Sequence, residues 1–339
     1  MWWATLGCGP DPAGCALDAP QLVVASTNFE SGALAVIDPA SGRRCDPAAS
    51  AGPDPAVRAF PGRVVVFDRT GGTSIRDYAP GVYEAPRIEL AAEPGANVHD
   101  VLPVGDELWV AAYERDGIAR YGWDGERRGE ISLAPWADAD GLPEADRLVA
   151  TPSGAYVGLQ RLTRPAWTSD GGAVASLSAD GVLEVWDVGP NPKLYADPSD
   201  PERLVALTGV FGALDGALER LDPRTGALEV ALTEAELGVD FDGFAGVGAR
   251  WVVLGVDAEG VSTHVCLDVE RGEWVRGEAD PGWFVEATAG GGEVFVAVRT
   301  GWAEGAADAV LAIDPVSCER RIVADDLWLD PFGLAWVDR

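Results

Sequence analysis

Short apolar runs, broken by Asp, Pro and Gly, recur along nearly the whole chain. Gln21–Thr27 (QLVVAST) and 32–38 (GALAVID) read as paired strands, and 43–46 opens a third. The same grammar returns at 64–68, Ser74–Tyr78 and 86–90, and again at 107–113, 118–123 and 129–133. Near 180, the runs 174–177 and 182–188 flank Ala179-Asp180-Gly181. Runs of this length, rich in Val, Ile and aromatic residues and punctuated by turn formers, predict strands rather than helices. None reaches 18 apolar residues, so no helical membrane span is expected.

The turns repeat as well as the strands. Ile37-Asp38-Pro39-Ala40-Ser41-Gly42 is echoed by Leu221-Asp222-Pro223-Arg224-Thr225-Gly226, Leu267-Asp268-Val269-Glu270-Arg271-Gly272 and Ile313-Asp314-Pro315-Val316-Ser317-Cys318. Asp bonds back to the backbone, Pro presets φ, and Gly supplies the positive φ that lets the next strand begin. Asp222 to Asp268 and Asp268 to Asp314 are each 46 residues, and Asp38 to Asp222 is 184, four times 46. Hairpin turns fall near 38, 77, 124, 180, 222, 268 and 314, on average 46 apart. That period predicts a propeller. A second marker, at Asp54-Pro55, Asp200-Pro201, Asp280-Pro281 and Asp330-Pro331, reads as the lead-in to each opening strand. The stretch 332–339 is then an opening strand with nothing after it, while the first run, at Gln21, lacks an opening strand. Pairing the two closes the ring and removes the open edges. The expected fold is all-β: a seven-bladed β-propeller of four-stranded blades over 21–339, preceded by a Pro- and Gly-rich tether over 1–20.

Gly95-Ala96-Asn97-Val98, Leu108-Trp109-Val110-Ala111 and Ile37-Asp38-Pro39-Ala40-Ser41-Gly42 carry a resemblance to the YVTN-type repeat propellers, across about 21–339. Asp stands for Asn before most of the prolines, and the fourth repeat is irregular. The resemblance implies a seven-bladed fold, often of exported or envelope proteins of bacteria, and no single activity.

Charge narrows the partners. The net charge is −30, and Lys193 is the sole lysine. So acidic a chain repels nucleic acid and anionic lipid surfaces, leaving cations, basic proteins or, in the plainer reading, a solvated acidic shell that serves solubility. Five cysteines stand at 8, 15, 45, 266 and 318 without a CxxC pair, and His99 and His264 are the sole histidines. A zinc site of the usual spacing is therefore not expected. Thr5-Leu6-Gly7-Cys8 is close to a bacterial lipobox, with its Leu one position late, so Cys8 is the expected lipidation site and the only membrane link; the plainer reading is an incidental tail. Of the pairings open to the other four, Cys15 with Cys45 and Cys266 with Cys318 are expected.

Three groups of residues are candidates for chemistry. The lead-ins carry Asp54, Asn97, Glu144, Asp200, Asp242, Asp280 and Asp330. In a ring these would surround the channel mouth and attract a hard cation such as Ca²⁺; alternatively, each Asp caps its own turn. Asp138-Ala139-Asp140-Gly141, with Glu144 and Asp146, resembles the opening of a calcium loop but lacks the further ligands of an EF-hand, and an ordinary acidic loop is the competing reading. Arg161, Arg164 and Trp167 interrupt the fourth repeat, as grafted binding loops do, though Arg161 equally suits a structural bridge to nearby carboxylates. His99 beside Asp100 near the mouth is a possible ligand contact or general base, but without a nucleophile motif a structural role is the simpler account. The strand tryptophans Trp109, Trp251, Trp274 and Trp336 read as inter-blade core.

Together these point to an exported, lipid-tethered binding or scaffold protein of the cell envelope, outer-membrane-anchored or periplasmic, taking a protein or small molecule on the face around the mouth. The alternative is a Ca²⁺-dependent hydrolase or lactonase-like propeller enzyme. A quinone oxidoreductase is set aside, because its usual cysteine and tryptophan signals are missing.

Overall fold

A computed structural model describes residues 17, 20–70, 74–164, 166–300 and 308–338. Its seven four-stranded antiparallel sheets form a ring, a seven-bladed β-propeller. From the axis outward, blade 2 is Pro55–Phe60, Arg63–Asp68, Ser74–Tyr78 and Ile88–Ala91, and blade 3 is Val98–Val104, Glu107–Ala112, Gly117–Gly122 and Arg127–Ser132. Blade 4 is Ala145–Thr151, Gly154–Leu159, Gly172–Ser178 and Gly181–Val188; blade 5 is Lys193–Ala196, Leu204–Leu207, Ala217–Asp222 and Ala227–Thr233. Blade 6 is Val239–Val247, Arg250–Asp257, Ser262–Asp268 and Glu273–Arg276; blade 7 is Trp283–Gly290, Glu293–Arg299, Ala309–Ile313 and Arg320–Asp325.

Blade 1 closes the ring as expected. Its inner strand, Pro331–Val337, comes from the C-terminal end and pairs with Gln21–Thr27, so that Leu22 faces Trp336 and Val24 faces Leu334. Gly32–Ile37 and Arg44–Ala51 complete the sheet.

Burial explains the sequence pattern. Second and third strands are covered on both faces by neighbouring blades, so Gly32–Ile37 and Ala309–Ile313 are buried at every position and read as unbroken apolar runs. Outer strands meet solvent: Glu273–Arg276 is exposed throughout. Among the described residues, the core divides into seven clusters, one at each junction between adjacent blades. Trp109 and Trp251 lie within this core and Trp336, half-buried, packs against the cluster between blades 7 and 1, stacked on Phe295, whereas Trp274 is exposed on an outer strand.

The repeated Asp turn behaves as expected. The Asp38, Asp222 and Asp314 carboxylates accept from the backbone amides of Ala40, Arg224 and Val316, at 3.0, 3.0 and 2.8 Å.

Blade 5 departs from expectation. Asp200-Pro201 does not lead into an inner strand. It lies between the inner strand Lys193–Ala196 and the second strand Leu204–Leu207, at the opposite end of the blade. An Asp-Pro turn has the same local chemistry at either end, so the dipeptide signals a turn without saying which. The true lead-in is Asn191-Pro192. Asn191 has φ +50°, close to Asn97 (+53°) and Glu144 (+42°) at the equivalent places of blades 3 and 4. Asp242 is also displaced: it lies within the inner strand of blade 6, whose lead-in is Gly238, capping the short helix Glu234–Leu237.

Candidate functional site

The inner strands enclose an axial channel with a cavity of about 650 Å³. Five of them are bulged near their beginnings: between Val98 and Asp100, Ala145 and Leu148, Phe241 and Gly243, Phe284 and Glu286, and Pro331 and Gly333. A bulge leaves a residue unpaired and re-aims its side chain. The residues passed over include His99, Asp146, Arg147 and Asp242, all lining the channel. The bulges thus place a polar belt inside an apolar ring.

The belt is built of ion pairs between blades. Arg147 Nη2 lies 2.7 and 2.9 Å from the two oxygens of Glu286. These residues belong to blades 4 and 7, so the pair spans the channel. Lys193 Nζ of blade 5 donates to the Asp242 carboxylate of blade 6 at 2.9 Å. Arg58 of blade 2 meets Asp100 of blade 3 at 3.1 Å, and Asp100 also accepts from the Leu148 amide at 2.8 Å. Tyr195 lies under the Arg147 guanidinium, 4.6 Å from it.

Electrostatics follow from this mix of burial and pairing. Burial works against the charged form of Arg147, but Glu286, Tyr195 and Asp146 outweigh it and hold the guanidinium well above its ordinary range. Lys193 is likewise penalised by burial, yet Asp242 raises it overall. Burial raises Asp100, offset only in part by Arg58 and Arg147. Asp146 is also penalised by burial, but its His99 hydrogen bond and the positive charge nearby leave it below the usual carboxylate range.

His99 is the belt's distinct member. Its Nδ1 is 3.0 Å from Asp146 Oδ1, and its ring lies against Tyr113 with centroids 3.5 Å apart. Tyr113 donates its hydroxyl to Gln160 Oε1, and burial, with Asp146 and Glu144 nearby, pushes that phenol well above its ordinary range. No hydrogen bond reaches His99 Nε2 among the described residues. A histidine oriented through Nδ1 by a carboxylate, with Nε2 available, has the arrangement of a general base. Its partner is Asp146 rather than the adjacent Asp100, which serves Arg58.

The other sequence candidates are dispersed. Asp54 pairs with Arg69 at 2.6 Å, Asp330 with Arg299 at 2.9 Å, and Asp280 with Arg320. Asp200 meets Arg203 at 3.4 Å, away from the mouth. Glu144 is fully buried, accepts from the Leu162 amide at 3.0 Å, and approaches Arg164 at 3.3 Å; burial, aided by Asp140 and Asp138, pushes it up to about 7. Asp138 and Asp140 lie in this neighbourhood, where the Arg164 guanidinium stands among the carboxylates and binds both Glu114 oxygens at 2.9 Å. Trp167 packs on Arg164 at 5.1 Å, and Arg161 donates to the Trp136 carbonyl at 3.1 Å. Most of these acidic residues are paired with arginine side chains, and Asp242 with Lys193. Among the described residues, the one group of three His, Cys, Asp or Glu side chains with ligand atoms within 4.8 Å of one another is His264, Cys266 and Cys318.

Cys266 and Cys318 form the expected disulfide, joining blades 6 and 7. Cys45 is disulfide-bonded too. Cys8 and Cys15 lie outside the described residues.

Sequence reasoning missed Arg58, Arg147, Glu286, Tyr113 and Gln160, which have no local motif. Lys193 did carry a signal: the sole lysine of an acidic chain lies on the axis.

No protein-family model matches the chain, and no curated protein matches it in sequence. Solved structures do. The chain resembles a provisionally assigned 6-phosphogluconolactonase from Bacteroides uniformis, at 14% identity and TM-score 0.65, covering 95% of this chain and 100% of that one. A second provisional 6-phosphogluconolactonase, from Bacteroides fragilis, gives 15% identity and TM-score 0.65 over 97% and 100%. A streptogramin B lyase gives 15% identity and TM-score 0.58 over 83% and 86%. At such identities the likeness shows the shared propeller fold.

Proposed function

We propose that the protein is a ligand-binding propeller of the cell envelope, tethered through Cys8, whose axial channel takes a small polar molecule. One observation carries this reading. In a chain of net charge −30, four permanent cations (Arg58, Arg69, Arg147 and Lys193) and four carboxylates (Asp100, Asp146, Asp242 and Glu286) line one channel. Such a balanced wall of donors and acceptors, with Tyr195, Phe332 and Trp336 beside it, suits a polyhydroxylated or zwitterionic ligand better than a bare cation. The test is a thermal-shift screen of sugars, sugar acids, polyols and amino acids on the purified protein and on Lys193→Met. A hit that stabilises wild type and fails on the variant is expected. Equal shifts in both, or none at all, would remove the channel from the account. Acylation of Cys8 is read separately, by mass spectrometry of the N-terminal peptide.

The His99–Asp146 pair favours a second reading, hydrolysis of an ester or lactone in the same channel. His99 Nε2 would take a proton from water as its oxygen adds to the carbonyl carbon, then return it to the departing alkoxide. The likeness to provisional lactonases lends this reading analogy alone. Turnover on a lactone and ester panel, lost in His99→Ala and unaffected by chelator, is its expected signature. Chelator-sensitive turnover would transfer the chemistry to a bound cation.

A further inference from the structure

Away from the channel, His264, Cys266 and Cys318 meet at the junction of blades 6 and 7. All three are buried, His264 completely. The imidazole Nε2 lies 3.3 Å from the Cys318 carbonyl, which can only accept, so this nitrogen carries the proton. Nδ1 is left with a free lone pair and, among the described residues, no hydrogen-bond partner. A buried polar atom without a partner is costly and calls for a physical reason. The surroundings leave little freedom: a Cβ on Gly277 would collide with the ring. Cys318 is unusual too. It takes the place held by Gly42, Gly226 and Gly272 in the equivalent turns, at φ +62°, where a side chain is disfavoured.

We propose that, once its disulfide is reduced, this trio binds a single thiophilic metal ion, Zn²⁺ or Cu⁺, through two thiolates and one imidazole nitrogen. A dithiol reductant breaks the Cys266–Cys318 bond, supplying two electrons and two protons and becoming a disulfide itself. Metal binding then displaces the two thiol protons and forms two metal–sulfur bonds and one metal–nitrogen bond. Two sulfurs and one imidazole are a set these ions accept, with one position left for water in the case of Zn²⁺. The Nε2–H contact to the Cys318 carbonyl is the usual orienting support behind a ligand histidine. The disulfide then closes the site under oxidising conditions, and reduction opens it. Sequence spacing conceals the trio, because Cys318 arrives from the next blade.

The experiment uses the full chain, reduced with a phosphine, desalted without oxygen, and titrated with Zn²⁺ against a chromophoric chelator. Co²⁺ provides the spectrum in parallel. Reduced wild type is expected to bind one more equivalent of Zn²⁺ than the oxidised protein and to show a thiolate-to-cobalt charge-transfer band. The double variant Cys266→Ser/Cys318→Ser retains Cys8, Cys15 and Cys45 and sets the background, so the extra equivalent should vanish there. His264→Ala keeps both thiols and should bind about tenfold or more weakly. Equal zinc uptake by wild type and the double variant, or undiminished affinity in His264→Ala, would overturn the proposal. Near-UV circular dichroism covers loss of structure on reduction: Zn²⁺ should then restore the signal, and failure to do so counts against the site.

Discussion

Glu144 shows how far one residue can be moved by its surroundings. As an exposed carboxyl it would titrate near 4.5, but in the fold burial pushes it up to about 7. Glu234, fully buried while accepting from the Gly216 and Phe241 amides, is also pushed by burial to about 7. Between about pH 4.5 and 7 the folded chain therefore holds more protons at these sites than the unfolded chain. Their contribution to stability falls as pH rises through that window and is level above it. For one such group the change is at most about 3 kcal/mol. Thermal melts should show a drop from pH 5.5 to 8, and Glu144→Gln should make that drop smaller. An unchanged slope in the variant would mean that Glu144 is ionised throughout.

At the scale of the strand, the bulges matter most. Straight inner strands would leave His99, Arg147 and Asp242 in register with their neighbours, whereas bulged strands bring them onto the axis. The Arg147–Glu286 pair then ties blade 4 to blade 7 across the channel. Removing either partner leaves the other, a largely buried charge, without its salt-bridge partner. Arg147→Ala is expected to cost about 1–3 kcal/mol, below the about 3–5 of a sealed interior, because both side chains keep 20–26% of their surface in channel water. The double change with Glu286→Ala should cost less than the sum of the singles, and a denaturation double-mutant cycle measures the difference. Additive costs would show that the two residues are not coupled.

For the whole molecule, closure is the decisive contact. Pro331–Val337 supplies the inner strand of blade 1 and seals the last junction between blades. Ending the chain after Asp330 would expose the edge of Gln21–Thr27 and part of two cores. Such an open edge invites pairing with other chains. The truncated protein is expected to lose the full-length melting transition and to elute as oligomers in size-exclusion chromatography; a monomer melting like the full chain would contradict this. The charge of −30 acts at the same scale. Self-repulsion destabilises a compact acidic body and is screened by salt, so the melting temperature at pH 8 should rise between 10 and 150 mM NaCl. A flat response would mean that the pairs weakened by salt offset the repulsion relieved.

Chain order and local chemistry alone determined the number of blades, the Asp turns and the closing strand. A 46-residue period and the apolar runs of doubly covered strands are written along the backbone, and so is the pairing of its two ends. The Cys266–Cys318 bridge followed from knowing which blades are neighbours. Tertiary structure decided which end of a blade a turn occupies, as Asp200 and Asn191 show, because an Asp-Pro or Asn-Pro turn has the same local form at either end. It also decided that His99 answers to Asp146, that Arg147 reaches Glu286 across the axis, and that His264 meets Cys318 from the next blade. Those partners are 47, 139 and 54 residues apart, and no local signal links them. They meet only because a ring of sheets carries distant bulges and turns to one axis and one junction.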